Sequence, residues 1–181
     1  MKTATKNLED DHVHILRLIN VMEHITHSEN PDINHLESIV DIIRNFADGL
    51  HHAKEENMFF PFLEGKGFSA VQGPLAVMLH EHMQGRNFVK GISDNITSFK
   101  SGNKSSVREI YKNMAGYAEL LRNHISKENN ILFRMADKAL SDIEQQNLLA
   151  QFDTVEKNRL AGTRVTDYIE RIKTLASFYK V

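Results

Sequence analysis

His51-His52-Ala53-Lys54-Glu55-Glu56-Asn57-Met58-Phe59-Phe60 returns 73 residues later as His124-Ile125-Ser126-Lys127-Glu128-Asn129-Asn130-Ile131-Leu132-Phe133. His51, Lys54, Glu55, Asn57 and Phe60 meet identical residue types at His124, Lys127, Glu128, Asn130 and Phe133. A His and a Glu four residues apart lie one turn apart on one helix face. His52 and Glu56 share that spacing but face Ile125 and Asn129 in the second copy, so the favoured pairs are His51/Glu55 and His124/Glu128. Both pairs interrupt apolar stripes at helical spacing. The first runs Val40, Ile43, Ala47, His51, Glu55, Met58, Phe62; the second runs Val107, Ile110, Met114, Tyr117, Leu121, His124, Glu128, Ile131, Met135.

Working outward, Asn30-Pro31, Gly65-Lys66-Gly67, Gly73-Pro74 and Ser101-Gly102-Asn103 are turn signals between long helical patterns. They predict helices over roughly 6–28, 32–64, 74–100 and 105–138, with Asn30 capping the second and Pro31 and Pro74 in first-turn positions. A fifth helix starts near Ser141, where Ser141-x-x-Glu144 matches a capping box, and breaks near Gly162 before a last stretch with Val165, Tyr168, Ile169, Ile172 and Leu175. Strand signals are absent. The expectation is an all-α protein: an up-down-up-down four-helix bundle over 1–138, with a C-terminal helical extension over 139–181 packed on it.

The first and third helices carry a looser echo, Asp11-His12 and Glu81-His82. His12 shares a stripe with Leu8, Ile15, Ile19 and Met22, and His82 shares one with Leu75, Met78, Gly85, Val89, Ile92 and Ile96. His80 falls off that stripe; His14, with Leu18, Val21 and Ile25, is the reserve candidate on the first helix. Turn positions then level the four imidazoles. His12 and His51 lie 19 and 20 residues from Pro31, His51 and His82 are centred between Gly65 and Gly67, and His82 and His124 each lie 21 residues from Asn103. Antiparallel helices rising about 1.5 Å per residue bring all four to one height.

A single His-x-x-x-Glu is ordinarily an exposed pair. Two matched copies, level with two further His and set in apolar faces, are a different matter, because buried carboxylates without compensation would exceed a domain's net stability. A pair of cations compensates them, with Glu55 and Glu128 placed to bridge and His12, His51, His82 and His124 as terminal donors. Imidazole with carboxylate suits Fe, Mn or Zn rather than Ca or Mg. Four His and two Glu leave open positions for water, hydroxide or a diatomic ligand. His24, His27 and His35 read as solvated, and His52, Glu56 and His80 as groups outside the ligand set.

Composition narrows the rest. At 181 residues the chain reads as one domain or one with a small appendage. Lys+Arg of 22 against Asp+Glu of 24 gives no basic excess, so nucleic acid is a poor partner. With 0 Cys there is no disulfide, thiolate metal site or Cys nucleophile. The N-terminal MKTATKNLEDDH has no apolar core of a secretory signal, and the most apolar patch, Met58 to Leu63, is too short to cross a bilayer. The expectation is a cytoplasmic protein with no membrane partner.

These residues resemble the hemerythrin-like (HHE cation-binding) family. The resemblance rests on Asp11-His12 with Ile15 and Arg17, on His51-x-x-x-Glu55-Glu56 running into Phe59-Phe60-Pro61, on Glu81-His82-x-x-Gly85-Arg86, and on His124-x-x-x-Glu128 running into Leu132-Phe133. It implies a four-helix bundle with His12, His51, Glu55, His82, His124 and Glu128 holding two iron ions (Fe2+/Fe3+) joined by an oxo or hydroxo bridge. Invertebrate oxygen carriers of this type have a second His four residues after the third-helix ligand and an Asp five residues after the fourth-helix His; here those places hold Arg86 and Asn129. Arg86 either turns its guanidinium towards the site or lies at the surface, and Tyr117 stands beside the pocket or in the core. The ferritin-like alternative needs two Glu-x-x-His copies, and Glu9-x-x-His12 is the one usable copy. The expected function is binding of oxygen, nitric oxide or peroxide at an open iron position. The alternatives are a peroxide- or oxygen-consuming di-iron oxidoreductase, or iron storage or sensing without turnover, with a homo-oligomer compatible with the C-terminal helices.

Overall fold

The structure, a computed structural model, describes residues 2–159 and 164–181. It is all helical, with no strand among the described residues. Four rods form the up-down-up-down bundle. The first is α1 (Ala4–Thr26) and the third is α4 (Pro74–Lys100). The second, over 33–65, consists of α2 (Ile33–Ile42), π-helical turns at Ile43–His52 and Glu55–Phe59, and α3 (Phe60–Gly65). The fourth joins α5 (Val107–Lys127), a π-helical turn at Glu128–Leu132 and α6 (Phe133–Ala139). Two further helices, α7 (Asp142–Arg159) and α8 (Val165–Tyr179), follow.

Local chemistry accounts for the ends. Thr3 caps α1 by accepting from the Lys6 amide, and Pro74 opens α4 at its first position. The second rod is capped by Asp32, whose carboxylate accepts from the Asn34 and His35 amides, rather than by Asn30; Pro31 accordingly lies before the helix, not in its first turn. A carboxylate two residues nearer the first turn is the better acceptor there. The Ser141/Glu144 capping box forms, with the Ser141 amide donating to the Glu144 carboxylate at 2.9 Å. The break expected near Gly162 lies outside the described residues.

The apolar interior is divided in two. One part joins Ile15 to Ile25 of α1, Leu36 to Leu50 of the second rod, Val89 to Ile96 of α4, Ile110 to Ile125 of α5, and Tyr168, Ile172, Leu175 and Ala176 of α8. The other joins Ala4, Leu8, Phe59, Phe60, Leu63, Leu75, Met78, Leu132, Phe133 and Ala136 with Leu148 and Phe152 of α7. On every rod the residues between these parts include the predicted His and Glu. The C-terminal helices contribute to both parts of the same interior.

One expectation fails informatively. Ile131 and Met135, read as continuing the inward stripe of the fourth rod, are exposed, while Leu132, Phe133 and Ala136 are buried. In the second rod Met58 and Phe62 are half-buried, and Phe59, Phe60 and Leu63 are buried. The cause is the π-helical turn that begins at each glutamate. A turn closed by an i→i+5 hydrogen bond holds one residue more than an α-turn. The Phe60 amide donates to the Glu55 carbonyl and the Phe133 amide to that of Glu128, so the apolar register advances by one residue in both rods.

Gly49 makes the longest π-helical segment practicable, because a Cβ there would stand 2.7 Å from the Arg44 carbonyl oxygen. At Gly65 a Cβ meets nothing within 4 Å. Gly49→Ala should therefore lower unfolding free energy by about 1–3 kcal/mol in urea denaturation, whereas Gly65→Ala should leave it within about 0.5 kcal/mol. Equal effects would show that the π-helical segment does not need the glycine.

Candidate metal centre

The layer between the two apolar parts contains His12, His51, His52, Glu55, His82, His124 and Glu128, all buried. Their donor atoms form two overlapping groups, His12 with His51, Glu55 and Glu128, and His52 with Glu55, His82 and His124. Within each group one donor atom per residue lies within 4.8 Å of the others. His12 Nε2 and His51 Nε2 are 3.0 Å apart, and His82 Nε2 and His124 Nε2 are 3.2 Å apart. Glu55 reaches both sides, with Oε1 3.6 Å from His51 Nε2 and Oε2 3.5 Å from His82 Nε2. Glu128 Oε2 lies 3.1 Å from His12 Nε2 and 3.3 Å from His124 Nε2.

The outer nitrogen of each ring explains why Nε2 faces inward. His51 Nδ1 is held by Asp11 Oδ2 at 3.3 Å, His82 Nδ1 by Glu56 Oε1 at 2.7 Å, His124 Nδ1 by Glu81 Oε2 at 3.0 Å, and His12 Nδ1 by Asn129 Oδ1 at 2.8 Å. An oxygen acceptor at Nδ1 places the ring proton there and leaves Nε2 a lone pair. Facing lone pairs at 3.0–3.2 Å repel unless a cation or proton lies between them. Each outer carboxylate is itself paired with a cation: Asp11 with Lys54 at 2.6 Å, Glu56 with Arg86 at 2.7 Å, and Glu81 with Lys127.

The electrostatics of the ion-free layer point the same way. Burial and the Glu128 charge push the Glu55 carboxyl well above its ordinary 4.5. Burial would also raise Glu128, but His124 and His12 hold it well below the usual range. His124, despite burial, is pushed up to about 9 by Glu128 and Glu81. Burial lowers His51 to about 4, against the pull of Asp11. All four oxygens of the two glutamates are buried and make no hydrogen bond. Imidazole and carboxylate donors with unsatisfied inner atoms therefore fit a pair of cations of the Fe, Mn or Zn type.

The remaining candidates fall as follows. Arg86 does not reach the layer; its guanidinium lies on Asp48 and Glu56. Tyr117 is buried and lines, with Asp48, His52, Gly85, Arg86 and Val89, a cavity of about 160 Å³. Burial raises the Tyr117 hydroxyl, which keeps it a proton donor. His14 packs edge-on against Phe46, away from both groups. His24, His27 and His80 are exposed. His35, read as solvated, is half-buried and pairs with the Tyr179 hydroxyl at 2.8 Å, because α8 covers it. The sequence reading passed over His52 as a member of the layer and missed the orienting roles of Asp11, Glu81 and Asn129. The acid preceding His12 and His82 was the available signal, but each acid serves the imidazole of a neighbouring rod.

The profile of the hemerythrin HHE cation binding domain matches residues 3–136. Among curated proteins, the iron-sulfur cluster repair protein YtfE of Edwardsiella ictaluri is 32% identical over 107 residues, covering 58% of this chain and 46% of that protein. The iron-sulfur cluster repair protein DnrN of Neisseria gonorrhoeae is 33% identical over 100 residues, 52% of this chain and 63% of that protein. An uncharacterised protein of Mycobacterium tuberculosis, Rv1995, is 21% identical over 137 residues, 76% of this chain and 53% of that protein. The chain thus aligns with about half the length of the first of these relatives. No solved structure matches the chain.

The Glu55 carboxyl makes the ion-free protein sensitive to pH in a defined direction. Below pH 4.5 it is protonated in both folded and unfolded chains and has no effect. Above that, the unfolded chain ionises freely while the folded one resists, so the folded state loses stability as pH rises. Glu55→Gln should remove this loss. In chelator-treated protein its unfolding free energy should gain on the wild type by about 1.4 kcal/mol per pH unit, until the folded wild-type carboxyl itself ionises. Urea titrations at pH 5 and pH 8 check this; a constant difference between the two pH values would refute the buried, protonated carboxyl.

Proposed function

We propose, because the chain belongs to the hemerythrin HHE cation-binding family, that it is a non-haem di-iron protein that binds a small oxygen-containing ligand. The ligand is oxygen, nitric oxide or peroxide. The observation that carries this reading is the pair of glutamates whose four buried oxygens have no hydrogen-bond partner within a ring of inward Nε2 atoms. In this reading His12, His51, His82 and His124, with Glu55 and Glu128 between the two imidazole pairs, would hold the iron. Iron, when bound, would supply redox chemistry and a place for the ligand.

The chain's own residues do the rest. Asp11, Glu56, Glu81 and Asn129 fix the ring tautomers, so that the donors are preorganised and few rotamers are lost on binding. The apolar parts above and below the layer exclude water along the bundle axis. The cavity beside Tyr117 seats the small ligand, where the hydroxyl, kept protonated by burial, donates a hydrogen bond to it. Arg86 holds the wall of that cavity through Asp48 and Glu56. Residues 139–181 are an extension that completes the interior, and a cytoplasmic location belongs to the same reading.

A second reading follows from the relatives named for iron-sulfur cluster repair. With 0 Cys the chain has no thiolates to carry a cluster, so its contribution would be iron delivered from the His/Glu layer. Transfer of iron from the loaded protein to a cluster-free ferredoxin separates this reading from ligand binding alone.

The test of the main proposal is metal content with the visible spectrum, oxidised and reduced. About two irons per chain and the absorption of an oxo-bridged ferric pair are expected. His124→Ala should lose iron at least about tenfold more readily and unfold more easily on chelation, while His27→Ala, at an exposed position, should do neither. Metal-free protein that is stable and indifferent to added iron would overturn the proposal.

A further inference from the structure

We infer that His52 is a fifth imidazole donor of the centre, serving the ion held by His82 and His124. This rests on the metal-centre reading above and goes beyond it, since the pairing of His51/Glu55 with His124/Glu128 leaves His52 without a counterpart. The outer nitrogen of His52 is held as in the other four. Its Nδ1 lies 3.2 Å from Asp48 Oδ1, as their Nδ1 atoms lie on Asp11, Glu56, Glu81 and Asn129. Its Nε2 is buried without any hydrogen-bond partner, and the residue belongs to the group formed with Glu55, His82 and His124. Asp48 in turn accepts from Arg86 Nε at 2.9 Å, and the same guanidinium holds Glu56, which orients His82. One arginine therefore positions the carboxylates behind two imidazoles of one half-site.

The backbone supports the same assignment. In an undistorted α-helix neighbouring residues point about 100° apart, and of two consecutive histidines one faces outward. His51 and His52 end a π-helical segment and are both buried, at 1% and 4% exposure. Single π-turns inside α-helices recur at functional sites, where an inserted residue re-aims a side chain. A merely structural role would leave an unpaired ring nitrogen buried with no compensation, which is destabilising. His52 further lines the cavity shared with Tyr117, so it stands where the half-site meets the space open to a small ligand.

The other role open to this ring is to support His82, on which it stacks at 3.8 Å with planes 17° apart. His52→Phe keeps that stack and removes the donor. Cobalt(II) titration of the full chain against a chromophoric chelator should show two sites in the wild type. In His52→Phe one of them should be weakened at least about tenfold, with altered d–d absorption from that site alone and an unchanged far-UV spectrum. A mutation-free measurement guards against misfolding. On saturating the wild type with zinc, the Nε2 nitrogen resonances of five imidazoles should move, those of His12, His51, His52, His82 and His124. Two cobalt sites of wild-type affinity and spectrum in His52→Phe, or four shifted imidazoles with zinc, would overturn the inference while leaving the metal centre standing. A wild type that takes up neither metal would overturn both.

Discussion

A disc of imidazole and carboxylate groups crosses an interior that is otherwise apolar, and the rest of the molecule is arranged around the need to neutralise it. Two buried glutamates within one small space cannot both be ionised without compensating charge. The chain surrounds them with inward imidazole nitrogens, backs these with carboxylates, and backs three of the carboxylates, Asp11, Glu56 and Glu81, with Lys54, Arg86 and Lys127. Charge thus alternates outward from the centre. Each ring of groups is stabilised by the next, and the innermost ring lacks only positive charge. The division of the apolar interior into two parts follows directly, because Leu8 and Ile15 on α1, or Met78 and Val89 on α4, must straddle the disc.

The helical irregularities serve the same end. The first and third rods, α1 and α4, provide one imidazole each and are regular α-helices throughout. The second provides His51, His52 and Glu55 and the fourth His124 and Glu128, and in each a π-helical turn starts at that glutamate. One extra residue per turn advances the apolar face, so that Phe59, Phe60, Leu132 and Phe133 close the interior directly beneath the carboxylates. Phe133 lies parallel to the His12 ring at 5.6 Å, and Phe60 lies nearly parallel to His82 at 5.8 Å. An unbroken α-helix would turn these aromatic rings away and admit water to the buried glutamates.

This explains how far the sequence could be read. The repeat at His51 and His124, the four apolar stripes and the turn positions are periodic features, and they bring His12, His51, Glu55, His82, His124 and Glu128 to one level in space. Periodicity cannot show where a period changes. Ile131 and Met135 were misplaced because a π-turn leaves no composition signal, and His52 was discounted because the second copy of the repeat holds Ile125 in its place. The outer carboxylates were illegible for another reason. Asp11 precedes His12 but serves His51, and Glu81 precedes His82 but serves His124, which depends on how neighbouring rods are rotated. Lys54, repeated as Lys127 in sequence, is fully buried while its counterpart is partly exposed, because Glu156 of α7 covers the first.

That last difference gives the centre two unequal sides. On the side of α1 and α7, Lys54 is 0% exposed, and its ammonium donates to Asn7, Asp11 and Glu156. Burial would lower it, but Asp11 and Glu156 keep it charged, and with His51 it holds Asp11 at about 2. Removing any of these partners would strand a buried charge, so this wall is fixed, and Glu156 makes the C-terminal extension part of it. On the side of α4, Arg86 is 42% exposed, its partners Asp48 and Glu56 are half-buried, and the cavity lined by Tyr117 lies beside them. Ion pairs this close to solvent exchange partners at little cost. The layer therefore has one sealed wall and one that can yield, and the wall that can yield is the one whose carboxylates hold the outer nitrogens of His52 and His82.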